Sequence, residues 1–106
     1  HIHFSDAARR ELQEMESVCL AVLDELARET AEPMELLKNV AALEQRIDDM
    51  TGAYRQNQLD RMRSGACSDE ACIIFSELLT DFERIGDHAL NIAEARVSAG
   101  AALPPA

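Results

Sequence analysis

The chain has 106 residues, enough for one domain, and carries 20 acidic against 10 basic side chains for a formal charge of −10. That balance argues against DNA or RNA as the main partner, because phosphate binding needs clustered Lys and Arg, and against adhesion to an anionic membrane surface; it favours cationic ligands, hard metal ions among them. Aromatic residues make up 4% of the chain and Trp is absent, so a core of Leu, Ile, Val, Ala and Met favours helices over a β-sandwich.

The start, His1-Ile2-His3-Phe4, lacks an initiator Met and reads as a tag or linker remnant (1–4) without structural weight. The first helix is expected over about 5–30. Ser5 or Asp6 is its N-cap, and Ala8, Leu12, Met15, Cys19, Val22 and Leu26 form one apolar stripe. Glu32-Pro33 is the first break, since Pro fits a first helical turn and disfavours helix just before it. The second helix spans about 33–63, with Leu36, Val40, Leu43, Ile47, Met50 and Tyr54 on its stripe. Ser64-Gly65 is the second break, with Gly65 suited to a left-handed helix end. Ser68 then caps a third helix over about 68–98, with acids in the positive first turn. Its stripe is Ala71, Phe75, Leu78, Phe82, Ile85, Ala89 and Ile92. Gly100 and a Leu-Pro-Pro tail (99–106) end it.

Both loops are short, so an all-α, antiparallel, up-down-up three-helix bundle is expected over 5–98 as a single domain. No run of ~18 apolar residues is present to span a membrane, and no signal peptide is visible. The three cysteines are odd in number, and Cys67 and Cys72 lack a common zinc spacing. They read as reduced thiols in a cytosolic setting, with Cys19 a small buried hydrophobe.

Placed on a wheel, Glu83, Asp87 and Glu94 fall opposite the third stripe, with Asn91 beside them and His88 exposed. Glu83 and Asp87 stand at i and i+4, one turn apart on one face, and Glu44 and Asp48 repeat the spacing on the second helix. Paired carboxylates repel at pH 7 unless a cation sits between them, and they are hard oxygen ligands. The same spacing is common on solvated acidic faces, where Arg84 or Arg46 would neutralise the acids as weak surface pairs. Gly86, inside a helix at a cost of ~1 kcal/mol against Ala, points to close helix approach. Glu-x-x-His pairs, His-Glu-x-x-His, a Gly-rich phosphate loop and Gly-x-Ser-x-Gly are all missing, which leaves no enzyme signature.

The run Phe82-Glu83-Arg84-Ile85-Gly86-Asp87-His88-Ala89-Leu90-Asn91-Ile92-Ala93-Glu94 resembles the signature of PhoU-like domains. The resemblance implies metal binding by Glu/Asp-xxx-Asp motifs, here Glu83 and Asp87 with Glu44 and Asp48. His88, Asn91 and Glu94, on the same side of the third helix, are expected as additional polar contacts. The metal would be a divalent ion or iron. A second stretch, Tyr54-Arg55-Gln56-Asn57-Gln58-Leu59-Asp60-Arg61-Met62 with Ser64-Gly65-Ala66-Cys67-Ser68, is similar to the PhoU-like tail of bacterial sodium/phosphate cotransporters. Members often carry His where this chain has Gln58. This resemblance implies a non-catalytic regulatory domain on the cytoplasmic side of the membrane. Its partner would be a transporter membrane domain in the same full-length chain. A homodimer would imitate the two-repeat form of standalone members. The alternatives are a soluble phosphate-signalling regulator that contacts a transporter and a sensor kinase, and a purely structural dimerisation bundle.

Overall fold

Ser5 starts α1 (Asp6–Ala27) by accepting the Ala8 amide on its hydroxyl at 3.1 Å. The computed structural model describes residues 2–28 and 32–102 (at 101 and 102 the backbone alone). Glu32 caps α2 (Pro33–Arg63), its carboxylate accepting from Met34 N and Glu35 N, each at 3.1 Å. Pro33 occupies the first turn, where no amide donor is needed. The α2 end is closed by amides of Gly65 and Ala66 bonded to Met62 O and Arg61 O, and Gly65 takes φ +77°. Ser68 then accepts the Ala71 amide at 3.1 Å and opens α3 (Asp69–Ala102).

The described residues are all-helical, and the contacts fix how the helices lie. Along α1, Glu11 meets Asn57 and Arg61, Glu14 meets Tyr54, and Glu25 meets Asn39. Residue numbers on α2 therefore fall as those on α1 rise. The α2–α3 contacts behave alike: Gln58 with Cys72, Arg55 with Ser76, Thr80 and Glu83, and Ile47 with Gly86. Numbers rise together on α1 and α3, from Phe4–Phe75 to Cys19–Phe82 and Leu26–Arg96. The result is a rod of 63 × 20 × 18 Å. Met15, Val22, Leu36, Val40, Ile47, Phe75 and Leu79 are fully buried on its axis. Each such side chain contributes roughly 1.5–3 kcal/mol by leaving water.

Four expectations change. The first helix stops at Ala27 with Arg28 extended, short of the expected 30 (29 and 30 lie outside the described residues). The third helix runs through Gly100 to Ala102 rather than ending near 98; alanines on both sides of Gly100 are the best helix formers. Of the expected tail, 103–106 lie outside the described residues. Phe4, given no weight, packs edge-on against Phe75 with ring centroids 6.2 Å apart. The phase of α3 also differs: Leu79, Gly86 and Ala93 are buried, whereas Ile92 is 44% exposed. A seam stepped at 3.5 residues drifts off a straight helix of 3.6 residues per turn, and the small residues Gly86, Ala89 and Ala93 mark where α3 approaches its neighbours.

Candidate functional site

Gly86 delivers the site. A Cβ placed there would lie 3.2 Å from Ile47 Cδ1 and 3.7 Å from Glu44 Cγ, so only a glycine lets α3 sit this close to α2 undisturbed. The next residue, Asp87, is thereby held over the Glu44–Asp48 pair of α2. One ligand atom from each of Glu44, Asp48 and Asp87 can be chosen so that all three lie within 4.8 Å of one another. Glu44 is half-buried and Asp87 exposed.

Glu44 carries the electrostatic cost. Its pKa is raised from 4.5 to about 7, first by burial and then by Asp48 and Asp87, which hydrogen-bond to it and repel its charge. Among the described residues, no Lys or Arg is ion-paired with any of the three. Three convergent carboxylates can therefore share a proton or surround a cation. As hard oxygen donors they suit Mg²⁺, Mn²⁺ or Ca²⁺ better than a thiol-seeking metal.

Glu83 stands outside this group. Its carboxylate accepts from Arg55 Nη2 at 3.1 Å, and the same guanidinium donates to Ser76 Oγ at 2.7 Å and Thr80 Oγ1 at 2.8 Å. Arg55, rather than Arg84 or Arg46, is thus its counter-charge; Arg84 lies 3.6 Å from Asp81 in an exposed pair. His88, Asn91 and Glu94 are exposed on α3 and outside the three-carboxylate group.

Two features escape the sequence. Glu11 and Arg61 form a mostly buried ion pair, with bonds of 2.6 and 3.3 Å, side-chain exposures of 13% and 14%, and Asn57 donating to Glu11 at 2.8 Å. Arg61 also donates from Nε to Gln58 Oε1 at 2.6 Å and lies 5.4 Å from the Phe75 ring centroid. The 50-residue separation hides that pairing, although Glu11 adjoins Leu12 of the first stripe and Arg61 falls seven residues after Tyr54, in phase with the second. Cys67 and Cys72, expected as separate thiols, are joined as a disulfide at the α2–α3 corner, with Cα atoms 6.7 Å apart. Their spacing of five residues, across the Ser68 cap into the first turn of α3, was the available signal. Cys19 is buried as expected, and burial pushes its thiol up to about 11.

Fold and site together define an all-helical bundle domain with an acidic cluster on its α2–α3 face. Residues 12–95 match the family model described as PhoU domain, and the chain belongs to the PhoU domain family. It is similar to the phosphate-specific transport system accessory protein PhoU homolog 1 of Thermotoga maritima, at 29% identity over 86 residues. That match covers 80% of this chain and 37% of the relative, so the chain spans little more than a third of the relative's length. No solved structure matches the chain significantly. No helix among the described residues is long and apolar enough to cross a membrane.

Proposed function

We propose that this chain is a regulatory, non-catalytic PhoU-type domain acting in the control of phosphate uptake, and that Glu44, Asp48 and Asp87 bind a divalent cation or iron. Family membership over residues 12–95 supports the regulatory role. The observation that carries the metal site is the convergence of three carboxylates from two helices, none of them ion-paired with a Lys or Arg among the described residues. In this reading the bundle is antiparallel and up-down-up, which the opposed order of the α1–α2 and α2–α3 contacts supports. Glu83 is a further ligand only when Arg55 releases it, and His88, Asn91 and Glu94 serve the outer coordination or a partner contact.

The domain would work as the cytoplasmic part of a sodium-dependent phosphate transporter, linked to its membrane domain and able to form a homodimer. A soluble accessory role is favoured by a different observation: the Thermotoga relative is named an accessory protein of a phosphate-specific transport system.

Mn²⁺ titration by calorimetry, after removal of metal with chelator, tests the site. Asp48→Asn/Asp87→Asn is expected to weaken binding at least tenfold, by removing two of three anionic ligands. Equal affinity in wild type and variant would refute the metal assignment.

A further inference from the structure

Cys67 and Cys72 take no part in the acidic site, yet they close the corner from which α3 departs. Cys67 lies in the turn after Gly65, and Cys72 in the first helical turn after the Ser68 cap. Both are half-buried rather than sealed. Cys72 also lines an open apolar cavity of about 310 Å³ with Leu59, Met62, Phe75 and Leu79. Gln58 reaches Cys72 Sγ from α2 at 3.6 Å. Cys19, by contrast, sits at 3% exposure with its thiol proton held by burial. The chain thus has one inert thiol and one reachable pair.

We propose that Cys67 and Cys72 form a reversible thiol–disulfide exchange site that takes small-molecule or protein disulfides as its oxidant. The Cys67 thiolate attacks one sulfur of the oxidant disulfide, forming a mixed disulfide and releasing the first thiolate. Cys72 then attacks the Cys67 sulfur, closes the intramolecular bond and releases the second thiolate. The two protons lost by Cys67 and Cys72 end on the two released thiols. The protein dithiol is oxidised by two electrons and the oxidant is reduced by two. The new bond ties the end of the α2–α3 turn to the first turn of α3, so oxidation state sets the local stability of this corner. Cys72 shares Gln58 with Arg61, which places the exchange site beside the buried ion pair.

Equilibration of the 106-residue chain in oxidised and reduced glutathione, followed by native alkylation and mass spectrometry, tests this. The expected oxidised product is a monomer 2 Da lighter than the reduced chain, with Cys67 and Cys72 unalkylated until a reductant is added. Closing a loop this small should raise the thermal midpoint by roughly 5–10 °C. Cys72→Ser or Cys67→Ser should abolish that rise, and Cys19→Ser should keep it. Cys67 and Cys72 remaining freely alkylatable under fully oxidising conditions, or pairing only between chains, would overturn the proposal. Because wild type alone gives the alkylation result, a variant that fails to fold does not blunt the test.

Discussion

Glu11 and Glu44 are both partly buried carboxylates at helix seams, and the bundle treats them in opposite ways. At the α1–α2 seam Glu11 receives a two-bonded guanidinium from Arg61 and an amide from Asn57. At the α2–α3 seam Glu44 receives two more carboxylates. The first arrangement closes its own charge account and has nothing left to offer a ligand. The second gathers negative charge from two helices and supplies no positive group among the described residues. A fold that can place an arginine fork on one acid has the means to place one on the other. The contrast therefore separates an acid that holds the bundle together from acids held ready for a cation.

Removal of Arg61 should give the largest effect. Arg61→Ala leaves Glu11 buried with Asn57 alone and strips the cation from the Phe75 ring. We expect a loss of about 3 kcal/mol, the scale for breaking a mostly buried pair from one side. Glu11→Gln should cost less, about 1–2 kcal/mol, because Arg61 keeps Gln58 and the ring. Urea unfolding checks both, and a loss below about 0.5 kcal/mol for Arg61→Ala would reduce the pair to a surface contact and end the contrast.

Next in size is Gly86, which sets how closely α3 approaches the acidic site. Gly86→Ala gains helix propensity of ~1 kcal/mol but puts a methyl 3.2 Å from Ile47 Cδ1. Ile47 is fully buried and has little room to move. We expect a net loss of about 1 kcal/mol. In the Ile47→Val background, which removes Cδ1, the same change should become neutral or stabilising. A double-mutant cycle reads that coupling, and additive effects would remove Gly86 from control of the seam.

These cases show what a sequence makes legible. Helix caps at Ser5, Glu32-Pro33 and Ser68, and the left-handed Gly65, are local chemistry, and the helices begin where that chemistry places them. Family membership was likewise readable from the run around Gly86. The grouping of acids was only half readable. The i,i+4 rule joins Glu44 to Asp48 and Glu83 to Asp87 within each helix, but it says nothing about rotation of one helix against another. A one-residue phase difference along α3 buries Gly86 and exposes Ile92. With that rotation Asp87 turns toward Glu44, and Glu83 toward Arg55. Arg55 stands 28 residues from Glu83, beyond any local pattern.

The smallest expected effect tests the uncompensated half of the contrast most directly. The folded-state pKa of Glu44 is raised from 4.5 to about 7, so the folded protein holds that proton more tightly than the unfolded chain does. Its contribution to stability is fully present below about 4.5 and is lost as pH rises through about 7. In chelator-treated protein, unfolding free energy should therefore decline across that window more steeply in wild type than in Glu44→Gln. The separation should reach up to about 1 kcal/mol, the scale of partly solvated charge pairs. Millimolar Mn²⁺ at pH 7.5 should recover the loss in wild type, since a bound cation replaces the proton as counter-charge. If both proteins show the same pH slope, the three carboxylates do not repel one another enough to await a cation, and Glu44 becomes as settled as Glu11.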